Sequence, residues 1–206
     1  MAKVTRLARF KFYKATKMKL EKLEQGCYYH IYNRGINAGH IFKSDENKCY
    51  FLKLINKYLT NKVSILAYCL MGNHYHMAVQ VIQEEQKVTQ SFSNLFNAYA
   101  KAFNKMHNRT GSLFEKHFKR IRIQDTKYLR NLIIYINTNP ELHGITEDYK
   151  SYKYSSYQTT ISIQNSTDLV SIAKEEVINL FDDLGNFEYL HEQKRSLGLD
   201  KLNWGQ

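Results

Sequence analysis

The residues best suited to chemistry stand in Met71-Gly72-Asn73-His74-Tyr75-His76-Met77-Ala78-Val79, just after an apolar run from Val63 to Leu70. Gly72-Asn73 between apolar segments reads as a hairpin turn. Successive side chains of a strand alternate between its faces. If His74 opens the second hairpin strand, His74 and His76 therefore project together, and Tyr75, Met77 and Val79 project the other way. Two neutral imidazoles fixed on one strand supply half of a divalent-metal site. The same pair also suits an ordinary polar strand face, and a bare His-x-His does not separate the two roles.

The elements that must carry these rings can be read on either side. Cys27 to Asn33 alternates and is rich in Tyr, His and Ile, so it reads as a first strand ended by Arg34-Gly35. Ser44, followed by Asp45 and Glu46, opens a helix with Phe51, Leu52, Ile55, Tyr58 and Leu59 as its apolar stripe. Val63–Leu70 and His74–Ile82 form the hairpin. Gln86 to His107 carries Phe92, Leu95, Phe96, Tyr99, Ala100 and Phe103 at helical spacing, and Arg109-Thr110-Gly111 stops it. Ser112 to Gln124 reads as a fourth strand. Asp125-Thr126 caps a last helix, Lys127 to Thr138, which Pro140 should end. The order β-α-β-β-α-β-α predicts an α+β fold, a ferredoxin-like or RRM-like antiparallel sheet with helices packed on one face.

Composition narrows the partner. Thirty Lys and Arg against nineteen Asp and Glu give a net charge of +11. That bias favours a polyanion, most simply nucleic acid, although a basic but otherwise ordinary surface gives the same number. Sixteen tyrosines and eleven phenylalanines offer platforms for unpaired bases, and most of them also suit the core. The basic residues concentrate in residues 1–20 (Lys3, Arg6, Arg9, Lys11, Lys14, Lys17, Lys19) and between Lys101 and Arg130. Residues 161–206 reverse the bias, with Asp168, Glu175, Glu176, Asp182, Asp183, Glu188, Glu192 and Asp200. We therefore expect a basic N-terminal arm at 1–24, one domain at 25–160 and an acidic C-terminal extension at 161–206. Within that extension, Asp168 to Phe181 is compatible with a helix. Cys27, Cys49 and Cys69 are odd in number and widely spaced, which suits reduced, buried thiols in a cytoplasmic protein. No run reaches transmembrane length, and the basic N-terminus lacks the apolar stretch of a secretory signal.

Tyr135-Ile136-Asn137-Thr138-Asn139-Pro140, taken with the histidine pair, resembles the single-tyrosine HUH transposases, the insertion-sequence-200-like enzymes and above all their REP-associated relatives. The resemblance runs from about Gly26 to Tyr157. It includes Tyr29 to Gly35, Met71 to Met77, Arg109 to Glu115, Phe118-Lys119, His143-Gly144 and Tyr154 to Tyr157. It implies an enzyme whose nucleophile is Tyr135 and whose metal ligands are His74, His76 and Asn139, with Mg²⁺ or Mn²⁺ as cofactor. An acidic residue before the His pair, used by some insertion-sequence members, is absent between Val63 and Asn73.

The implied reaction is cleavage and transfer of single-stranded DNA at hairpin or palindromic sites through a 5′-phosphotyrosine, by a monomer or a homodimer. Arg34, Lys116, Lys119, Arg120 and Arg122 are the candidate DNA contacts. Glu115 and His30 are possible supports, and His40 and His191 have no partner legible in the sequence. Two further readings share the charge: a non-catalytic RRM-like module that stacks unpaired bases, and a hydrolase that activates water on the His pair.

Overall fold

The computed structural model describes residues 20–162 and 169–196. The expected basic arm lies almost wholly outside the described residues, as do 163–168 and 197–206 of the acidic extension.

Four strands form the sheet: β1 (Tyr28–Arg34), β2 (Val63–Leu70), β3 (His74–Val81) and β4 (Lys119–Ile123). Their order is β2-β3-β1-β4, all antiparallel, as in a ferredoxin-like fold. Helices α1 (Asp45–Leu59) and α2 (Glu85–Met106) fill the two crossovers. The Ser44 hydroxyl accepts from the Asn47 amide, capping α1 as its sequence predicts.

Helices cover both faces of the sheet, not one. Tyr29, Ile31, Tyr75, Met77, Val79 and Val81 pack against Phe51, Leu54, Phe92 and Leu95 of α1 and α2. The opposite face holds Leu66, Ala67, Cys69, Ala78 and Ile123, an apolar surface that also needs a cover. Helix α3 (Thr126–Leu142) lies there through Leu129, Leu132, Ile133 and Ile136. A register shift between Ile65 and Ala67 lets Leu66 and Ala67 both turn to this face, as a β-bulge does.

Asp125 caps α3 by accepting from the amides of Lys127 and Tyr128. The helix does not stop at Thr138 but runs through Pro140 to Leu142. Proline lacks the N–H that would pair with Ile136, yet one missing bond near a helix end is tolerated when the helix is packed on both sides. The strand expected at Ser112–Gln124 is regular only from Lys119. Before it the chain runs irregularly, bridging Gly35 through Phe114 and meeting the end of β1 where the Glu115 amide donates to the Arg34 carbonyl.

In the acidic extension the helix is α5 (Lys174–Leu180), shorter than expected. Two elements are unforeseen: α4 (Tyr157–Ile161) and α6 (Leu184–Ser196). Val177, Phe181 and Phe187 join the same apolar cluster, with α6 lying against α3 and α5 against β2. Cys27, Cys49 and Cys69 are free thiols, of which only Cys69 is fully buried. Among the described residues, no helix is long and apolar enough to cross a membrane.

Candidate active site

Strand β3 is interior to the sheet, and β1 lies beside it with Tyr32 opposite His76 and Arg34 opposite His74. Cross-strand partners share a face, so His74, His76, His30, Tyr32 and Arg34 all belong to the α3 side. His30 and Tyr32 stack at 4.6 Å between ring centroids, His30 and His76 at 5.1 Å, and Tyr32 and His76 at 5.7 Å. Helix α3 brings Tyr135 edge-on to His76, with ring centroids 5.5 Å apart. Asn139 follows one turn later on the same side of the helix. At the helix end, the ring of His143 meets His74 at 5.7 Å. The chain thus gathers His74, His76, Tyr135 and Asn139 from segments far apart in sequence, and adds His30, Tyr32 and His143.

The electrostatics follow from burial. Desolvation pushes the pKa of His30 down to about 3. His76 falls well below the ordinary imidazole value, first through burial and then through the charges of its histidine neighbours. His74 is pushed down to about 4 by burial and by His143, with Asn139 opposing the shift. All three rings are neutral at neutral pH, the form that ligates metals without releasing a proton.

A divalent ion fits this donor set. Nε2 of His74, Nε2 of His76 and both amide atoms of Asn139 are buried without a hydrogen-bond partner. Buried polar atoms are nearly always paired, so four orphans in one place need a reason. The Nδ1 atoms, by contrast, are held: His74 Nδ1 lies 2.6 Å from Asn73 Oδ1, and His76 Nδ1 lies 2.8 Å from His30 Nε2. Outer nitrogens fixed by neighbours and inner ones left bare is the pattern of metal-binding imidazoles. Among the described residues no group of three His, Cys, Asp or Glu could hold an ion. An ion held by two imidazoles and one amide would need water or phosphate oxygens to complete its shell.

The basic candidates divide. Lys119 pairs with Tyr32 across β1 and β4 and so shares the imidazole face, as does Arg34, which forms an ion pair with Glu115. Glu115 is thus the partner of a cation. Lys116 is exposed in the segment before β4. Arg120 and Arg122 pair with Ile31 and Tyr29 and project to the other face. There Arg120 lies over Phe118 at 4.2 Å, and Arg122 bonds Glu24 at 2.7 Å. The alternation Lys-Arg-Ile-Arg-Ile already carried this division, because Ile123 must face the core. His191 is not partnerless: it is buried and bonds Asn137 and the Phe187 carbonyl.

The chain thus sets two strand histidines of a ferredoxin-like sheet under a tyrosine-bearing helix. The family described as "Transposase IS200 like" matches residues 24–139, and this chain belongs to it. It is an enzyme family. The chain is 23% identical, over 155 residues, to a REP-associated tyrosine transposase of Haemophilus influenzae, covering 65% of this chain and 88% of that protein. A solved structure of a REP-associated tyrosine transposase bound to a REP hairpin shares the fold, with a TM-score of 0.54 and 16% identity, over 77% of this chain and 96% of the other.

Proposed function

We propose that this transposase is a metal-dependent endonuclease and strand transferase for single-stranded DNA with a hairpin or palindromic site, acting through a covalent tyrosine intermediate. The observation that carries the reading is the convergence of Tyr135 on His76 beside the orphaned nitrogens of His74 and His76. His74, His76 and Asn139 would hold Mg²⁺ or Mn²⁺. When bound, such an ion supplies polarisation of the scissile phosphate and stabilises charge on its oxygens.

The phenolic oxygen of Tyr135 forms a bond to phosphorus as the bond to O3′ breaks. The phenol proton leaves and O3′ gains one, so the products are a 5′-phosphotyrosine and a free 3′-hydroxyl. A second 3′-hydroxyl reverses the step and completes strand transfer. Arg34 and Lys119, on the imidazole face, would meet the flanking phosphates, and Lys116 would meet them further out. Tyr135 is 1% exposed and His76 2%. The phosphate therefore reaches them only when α3 shifts from the sheet. We assign this chemistry to residues 25–160, with the arm at 1–24 adding charge for the strand and the extension from 161 bracing α3.

A purely stacking, RRM-like module needs an open sheet face, and here α1 and α2 cover one face and α3 the other. The deciding experiment incubates the protein with labelled hairpin-bearing single strands, with Mn²⁺ or with EDTA, on a denaturing gel. The expected result is a metal-dependent adduct that survives SDS and is lost in Tyr135→Phe. An adduct in Tyr135→Phe overturns the nucleophile, and cleavage without adduct points to activated water.

A further inference from the structure

The connection between β1 and α1 folds tightly over the turn between β2 and β3. Gly35 N–H donates to Asn73 O at 2.8 Å, and the amides of Ile41 and Phe42 both donate to Gly72 O, at 3.0 and 2.9 Å. A β-carbon on Gly35 would collide with the Gly39 carbonyl oxygen, so only glycine allows this closure. Asn37 and Ala38 both sit in the left-handed region, at φ 54° and 57°. Alanine has no local hydrogen bond to favour that region, so the surrounding contacts must impose it.

The corner aims a carbonyl. Ala38 O accepts from Asn73 Nδ2 at 3.4 Å. A carbonyl oxygen can only accept, so this contact fixes which way the Asn73 amide points and turns Oδ1 to His74. Asn73 Oδ1 also can only accept, and it lies 2.6 Å from His74 Nδ1. The His74 proton must then reside on Nδ1, leaving the lone pair on Nε2. His76 has no such constraint. Its Nδ1 faces His30 Nε2 at 2.8 Å, and either nitrogen of that pair can carry the proton. The two candidate ligands thus differ: one is set before any ion arrives, and the other is set by what binds.

We propose that Asn73, oriented by the Ala38 carbonyl, is a positioning residue that fixes His74 in the Nδ1–H tautomer and so presents Nε2 for metal ligation. The assignment of Nε2 as a ligand rests on the proposed function; the tautomer does not. Asn73 touches neither phosphate nor nucleophile and acts through His74 alone.

Long-range nitrogen–proton NMR of the histidine-labelled, metal-free protein, above the imidazole titration range, reads the tautomer directly. The wild type should show His74 protonated on Nδ1. Asn73→Asp keeps an acceptor and should preserve that state, whereas Asn73→Ala should release it to a mixture dominated by the Nε2–H form. Calorimetric Mn²⁺ affinity should fall about 10–100-fold in Asn73→Ala and be retained in Asn73→Asp. An Nε2–H tautomer in the wild type overturns the proposal, whatever the folding yield of the variants, and so does an unchanged tautomer in Asn73→Ala. If the wild type shows the Nδ1–H form and Asn73→Ala loses it, but no Mn²⁺ binds and no adduct forms, the metal-dependent function fails and the tautomer assignment stands.

Discussion

Helix α3 carries two buried asparagines on opposite sides, and their surroundings differ completely. Asn137 is fully satisfied. Its Oδ1 accepts from Ser156 Oγ at 2.8 Å, and its Nδ2 donates to His191 Nε2 at 3.1 Å. The chain continues at both ends: Tyr68 N–H donates to Ser156 Oγ, and His191 Nδ1 donates to the Phe187 carbonyl. Asn139, equally buried, interacts with the His74 ring but completes no hydrogen bond of normal geometry through either amide atom, and neither do the Nε2 atoms of His74 and His76. One histidine–asparagine set closes on itself and joins α6, α3 and β2. The other is left open toward the sheet. A complete buried polar set serves the fold, and on the proposed function the incomplete one is where an ion would bind.

This comparison can be broken most sharply at the open set. His74→Ala and His76→Ala should take adduct formation below detection on the denaturing gel while thermal melting shows the fold intact. Adduct yields near wild type would return both rings to the role of a polar strand face. Next in size is the crossed pair of asparagine variants. Asn137→Ala strands His191 Nε2 and Ser156 Oγ in the interior and should cost about 1–3 kcal/mol, lowering Tm by about 2–4 °C per kcal/mol for a chain of this length. Asn139→Ala removes an amide whose polar interaction is with the His74 ring, and it should lower Tm less than Asn137→Ala. Its adduct yield should nonetheless drop at least about tenfold, since loss even of outer partners costs that much. Equal melting losses in the two variants would erase the distinction.

Acid should distinguish the sets less strongly. His191 is held down at about 4 by burial, and His74 and His30 at about 4 and 3. Unfolded, each would titrate near 6.5. Between these values the unfolded chain binds protons that the native chain refuses, so stability rises with pH there. It is fully present above 6.5 and falls as pH drops toward about 4. Urea midpoints measured across this window should decline on acidification, and His191→Gln should flatten the decline. A midpoint independent of pH would contradict the burial of these rings. The smallest effect concerns DNA. Lys119→Ala and Arg34→Ala should each reduce the logarithmic salt slope of single-strand binding by about 1, while Arg120→Ala and Arg122→Ala, on the far face, leave it alone.

Much of the fold is legible because each element has a strong local signal. Phe92, Phe96, Tyr99 and Phe103 recur at helical spacing, the hairpin is marked by Gly72-Asn73, and Ser44 and Asp125 cap the helices they precede. What escaped is set by distant contacts. Pro140 stays helical because both sides of α3 are packed, which no local rule reports. The bulge at Leu66 answers the needs of two faces at once. The site divides in the same way. Alternation alone puts His74 and His76 on one face, and places His30 with Tyr32, but only the register between β1 and β3 shows that His30 meets His76. His191 was opaque for a related reason, since its partner Asn137 lies on another helix.

The separation of the site along the chain also orders events in time. The imidazoles of His30, His74 and His76 belong to β1 and β3, complete by Val81, whereas Tyr135, Asn139 and His143 arrive only with α3. During synthesis the chain emerges N-terminus first, and folding follows that order. A ribosome-bound chain that has already closed the hairpin and α1 holds these rings but has no Tyr135 to set against them. On the proposed function, competence to cut a strand would appear late, after β4 has joined β1 and α3 has docked. Unfinished chains would then be inert toward any DNA they met.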